Sequence, residues 1–90
     1  MENKVYVCTK FNEGSIATLL NELAEESSTT WYRGEKPIDF VPYHLNGYLL
    51  IVWNKTSQKH CLVSGIDENG AKLVTPNEFK RIAAELCPKG

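Results

Sequence analysis

The run Tyr48-Leu49-Leu50-Ile51-Val52-Trp53 constrains this chain more than any other feature. It has the length of a strand, and successive strand side chains point to opposite faces. Tyr48, Leu50 and Val52 therefore form one set and Leu49, Ile51 and Trp53 the other, and both sets are apolar. A strand that is apolar on both sides belongs inside a sheet and needs cover on each face.

The remaining pattern supplies the partners for such a strand. Lys4 to Lys10 alternates, with Val5, Val7 and Thr9 opposite Tyr6 and Cys8, which predicts a first strand. Asn12-Glu13-Gly14-Ser15 breaks it and offers Ser15 as a helix cap. From Ile16 the period changes: Ile16, Leu19, Leu20, Leu23 and Ala24 make one helical stripe that ends at Ser27-Ser28. Thr29 to Arg33 is β-prone and closes on Gly34, and Glu35-Lys36-Pro37 reads as a turn. Pro42 cannot donate to a ladder, so Ile38 to Leu45 is an edge strand or an extended loop. Asn46-Gly47 signals a hairpin into the apolar run. The polar stretch Asn54 to Lys59 turns the chain into a strand at His60–Ser64, and Asn69-Gly70 reverses it again before Ala71–Val74.

The last element carries the fullest set of signals. Thr75-Pro76-Asn77-Glu78 places threonine at the cap, proline at the first helical position and glutamate at the third. Val74 and Phe79 can staple this start, Ile82, Ala83 and Leu86 continue the buried stripe, and Pro88 stops the helix. The order is β-α-β-β-β-β-α. This is an α+β fold: a small antiparallel sheet of four to five strands with two amphipathic helices packed on it. Hydrophobic residues at 42% and charged residues at 23% suit a globular chain, and residues 1–90 are expected to form one domain.

Several classes of function recede at this point. A net charge of −1 lacks the basic excess of most nucleic-acid binders. Met1-Glu2-Asn3-Lys4-Val5 is not the start of a signal peptide, and three widely spaced cysteines suit free thiols, so a cytoplasmic location without membrane contact is expected. His60 and Cys61 are strand neighbours facing opposite ways, which argues against a shared zinc ion with Cys8 or Cys87. A cysteine–histidine nucleophile would draw on Cys61 with His44 and Asp39 or Asp67, and nothing in their spacing supports it. Glycine-rich phosphate loops are missing. No catalytic residue, metal ligand or cofactor is expected, and the chain is read as non-enzymatic.

Binding is the class that remains. Two helices are few to cover both faces of a sheet, so one apolar set is expected to meet another protein or a second copy of the chain. Leu49, Ile51 and Trp53 are the candidate residues on that strand. If the chain covers both faces itself, the segment Ile38 to Leu45 would do so, and the interface would move to the loops. There Trp31, Tyr32 and Arg33 put aromatic rings beside a guanidinium, suited to stacking or to capping a partner. If the two loops adjoin, Arg33, Lys36, Lys55, Lys59 and Lys72 would join those rings as a nucleic-acid surface, the second reading.

Trp31-Tyr32-Arg33-Gly34-Glu35-Lys36-Pro37 and Thr75-Pro76-Asn77-Glu78-Phe79 also carry a resemblance. Their W-x-x-G-x-x-P turn and closing T-x-x-E-F helix, with the strand, helix and hairpin around them, resemble short bacteriophage accessory proteins of α+β layout. The resemblance implies a phage-encoded protein acting in the host cytoplasm. Some members of that group block host defence proteins or sequester their signals. No site residue carries over from it.

Overall fold

The alternating stretch near the start forms strand β1, Val7–Phe11, and the two-sided apolar run forms the longest strand, β2, Gly47–Asn54. The computed structural model describes residues 6–42, 47–65 and 71–89. Between these strands lies helix α1, Ile16–Glu26; after them come β3, Lys59–Gly65, β4, Lys72–Leu73, and helix α2, Pro76–Leu86. The layout is α+β, with the four strands in the order β3-β2-β1-β4.

The sheet is mixed rather than antiparallel. β2 runs antiparallel to both β1 and β3, but β4 lies parallel to β1, with Val7 opposite Lys72 and Cys8 opposite Leu73. The pairing closes through Lys72 N–H on the Tyr6 carbonyl at 2.8 Å and Val74 N–H on the Cys8 carbonyl at 2.9 Å. β4 thus lies on the free side of β1 rather than beside β3, and leads directly into α2.

Register decides which set of β2 faces the helices. Val7 pairs with Ile51 and Thr9 with Leu49, and Ile51 pairs in turn with Leu62. Those side chains share a core with Ile16, Leu19, Leu20 and Leu23 of α1 and with Phe79 and Ala83 of α2. Leu49 and Ile51 are 0% exposed, so these two candidates lie beneath the helices and present no surface to a partner. Tyr48, Leu50 and Val52 take the other face. Its centre is closed as well, since Leu50 is only 4% exposed and Cys8 and Cys61 are fully buried. The middle of that face is closed, while Tyr6 and Leu73 at its β1–β4 edge are 40% and 58% exposed and Tyr48, Val52 and Val63 are half-buried.

The helix starts differ. Thr75 caps α2 as its sequence predicts, its hydroxyl accepting the Glu78 N–H at 3.2 Å. The reciprocal half of the capping box is not made, because the Glu78 carboxylate pairs with Arg81 instead. Ser15 does not cap α1 at all; its hydroxyl accepts the Asn12 N–H at 3.1 Å, folding back on the preceding loop.

The expected strand at Thr29–Arg33, and the segment read as an edge strand or an extended loop, form no named strand among the described residues. Thr29–Arg33 is reduced to one parallel bridge, Trp31 to Leu62. The start of the ambiguous segment is a 3-10 turn, Pro37–Asp39, packed against α1 and not across the second sheet face. Asn46 of the Asn46-Gly47 signal, the end of the Ile38–Leu45 segment and the Asn69-Gly70 reversal lie outside the described residues.

Candidate functional site

The segment from Trp31 to Val41 behaves unlike the rest of the surface. Trp31 is 2% exposed and belongs to the core. Its strand-like contact is brief: Leu62 N–H donates to the Thr30 carbonyl at 2.8 Å, and the chain then leaves the sheet. Gly34 makes that departure possible. Its φ of +100° lies in a region that a side chain disfavours, and glycine adopts it without steric cost. The turn is tied three times. Trp31 N–H donates to the Glu35 carbonyl at 2.9 Å, Gly34 N–H donates to the Trp31 carbonyl at 2.8 Å, and the Trp31 Nε1–H donates to the Pro37 carbonyl at 3.2 Å.

On this fixed base the side chains turn outward. Phe40 stands edge-on to the Trp31 ring, with centroids 5.1 Å apart and planes at 82°. The Arg33 guanidinium lies 5.7 Å from the centre of the Tyr32 ring, within cation–π range. Tyr32, Ile38, Phe40 and Val41 are 54%, 50%, 43% and 50% exposed, four of the six exposed large hydrophobic residues among those described. Trp31, Tyr32, Arg33, Glu35 and Phe40 also line a cleft of about 210 Å³. Most of the exposed large apolar side chains among the described residues are gathered here, and Tyr6 and Leu73 at the sheet edge make up the rest.

Of the cationic candidates, Arg33 and Lys36 belong to this turn, while Lys55, Lys59 and Lys72 lie elsewhere. Ser28 and Thr30, on the other side of Trp31, share a cleft with Lys59 and His60. Lys59 lies about 10 Å of strand before Leu62, the residue that Trp31 bridges. Lys55 sits with Lys59 at the β2–β3 turn, and Lys72 occupies the opposite edge of the sheet on β4. The patch that the nucleic-acid reading required is divided among three places.

Trp53 is half-buried at the sheet end, its ring 5.0 Å from the His60 imidazole and at 69° to it. Burial holds the His60 imidazole below its usual range, and its Nε2 is buried without a partner among the described residues. Burial also pushes the Cys61 thiol up, so it stays protonated and a poor nucleophile near neutral pH. Cys87 donates to the His60 carbonyl at 3.8 Å.

Sequence reading missed Ile38 and Val41 as surface residues. A usable signal was present: Pro37 and Pro42 bracket a segment confined to an edge strand or a loop, yet that segment carries three large apolar side chains, Ile38, Phe40 and Val41. No helix among the described residues is long and apolar enough to cross a membrane. No family model, curated protein or solved structure matches this chain.

Proposed function

We propose that this chain is a non-enzymatic binding protein that engages another protein through the turn from Tyr32 to Val41. One observation carries the reading: a backbone tied down at three points holds four large apolar side chains out in water. Apolar side chains left exposed together forgo transfer energy that a partner would recover, roughly 25 cal/mol for each Å² covered. A turn already fixed in shape loses little freedom on binding, which lowers the entropic cost of association. The resemblance at Trp31–Pro37 and Thr75–Phe79 supports a phage accessory factor that modulates or inhibits a host protein in the host cytoplasm.

The test is affinity capture from a candidate host lysate with the chain and two pairs of variants. Phe40→Ser and Ile38→Ser should each lose a partner that the parent chain and both Lys55→Ser and Lys59→Ser retain. Ile38→Ser should keep the parent's thermal midpoint, while Phe40→Ser should lose a few degrees with its edge-on contact to Trp31 and stay folded. A partner retained by the apolar variants and lost by the lysine variants would overturn the reading. So would tight retention on single-stranded DNA that falls steeply with salt, the mark of phosphate binding.

A further inference from the structure

We propose that the cleft between Tyr32 and Phe40 receives one neutral aromatic side chain of the partner, as the anchor of the interface. The inference rests on the reading of the 32–41 turn as a binding surface and assigns that surface its ligand chemistry. Size comes first. Pockets for cofactors and other small molecules run from roughly 300 to 1,000 Å³, whereas a cavity of about 150 Å³ already takes benzene. At about 210 Å³ the cleft is small for a nucleotide and adequate for a single substituted ring.

The walls favour a ring. Trp31 and Phe40 already meet edge-on, and Phe40 and Tyr32 remain largely exposed on either side. A further ring set among them would extend the edge-to-face and offset packing that aromatic groups prefer. Charge then narrows the occupant. Arg33 and Glu35 line the same cleft, so its formal charges cancel. The Arg33 guanidinium is also already seated by the Tyr32 ring, the place a quaternary ammonium ligand would need. Neither an anion nor a cation gains from this balance, while a neutral aromatic group meets no opposing charge. Aromatic anchors in closed pockets are the usual centres of protein interfaces.

The cleft between the helix starts offers less. Lys80 and Glu22 line it, and their charges are already committed to each other in an ion pair.

The probe is N-acetyl-tryptophanamide, followed by amide and indole NMR signals of the full chain. Adenosine monophosphate and tetramethylammonium serve as the anionic-base and cationic arms. The Trp31 Nε1–H and Gly34 N–H signals should move saturably with the tryptophan amide, in the millimolar range suited to a lone side chain. Phe40→Ala and Tyr32→Ala should each weaken that response by more than about tenfold. No saturable shift with the amide, or an equal shift with either charged probe, would overturn the proposal. If the amide fails while Phe40→Ser still loses its captured partner, the anchor is wrong and the surface stands. If both fail, both readings fall.

Discussion

The turn after Trp31 and the turn between β2 and β3 are built with equal care and end in opposite surfaces. In the hairpin, the Asn54 side chain accepts the N–H groups of Thr56 at 2.8 Å and Ser57 at 3.1 Å, and Gln58 N–H donates to the Asn54 carbonyl at 2.7 Å. Gln58 even takes a positive φ of 56° to complete the reversal. Everything that this turn sends outward is polar, from Lys55 to Lys59, and water satisfies it. The Trp31 turn spends three hydrogen bonds and a glycine to hold out Tyr32, Ile38, Phe40 and Val41. Tight backbone closure is thus common to both and points to no function. Closure around exposed apolar groups is what separates them, because that arrangement lacks a folding rationale of its own.

The comparison can be broken most forcefully at its anchor. Trp31→Ala should destabilise the chain by about 3–5 kcal/mol, the range for deleting a buried aromatic, and should release the turn from β3. Denaturant unfolding measures it; a loss below about 1 kcal/mol would mean that the indole does not hold the turn.

The two turn residues at positive φ should respond in opposite directions. Gly34→Ala meets no clash but forces alanine to φ +100°, so a loss of about 1–2 kcal/mol is expected. Gln58→Gly relieves the φ of 56° and should stabilise by at most about 1 kcal/mol, offset by the greater freedom of glycine in the unfolded chain. Equal signs for the pair would remove the claim that both turns depend on backbone conformation.

Thr75→Ala offers a scale for these values, since its hydroxyl makes a single cap bond to Glu78; about 1 kcal/mol is expected in the same unfolding assay.

The smallest effect belongs to His60, beside the hairpin. Its folded value lies below its unfolded value near 6.5 because burial disfavours the imidazolium. The unfolded state then binds more protons, so His60's contribution is intact above about pH 6.5 and declines as pH falls from there toward the folded value. His60→Gln should flatten that part of the stability profile. An unchanged slope would show that the imidazole is solvated like the rest of the hairpin turn.

What could be read from sequence follows the range of the forces involved. The two helices, the β2–β3 turn and the Thr75 cap depend on neighbours a few residues away, and the pattern showed them. Ser15 failed as a cap although its residue type fits, because Asn12 lies close enough to take its hydroxyl. The parallel placement of β4 beside β1 joins distant segments and leaves no local mark. The inward set of β2 was undecidable for a different reason: both sets are apolar, and only register against Val7 and Leu62 selects Leu49 and Ile51. The candidate site was half legible. Trp31, Tyr32 and Arg33 stood out by residue type, whereas the outward stance of Ile38 and Val41 follows from how the turn packs on α1.

The parallel pairing also sets a timetable. β1 is flanked by β2 and β4, and β4 comes from the last quarter of the chain. During synthesis, one side of β1 must stay open until residues near Lys72 have emerged, and Phe79 cannot seal the core before then. Pairings between such distant segments slow folding, since the intervening chain must be closed before any contact rewards it. The fold therefore closes only after β4 and α2 have emerged. Until that moment, β1 offers an unpaired edge that nascent neighbours on crowded ribosomes could join.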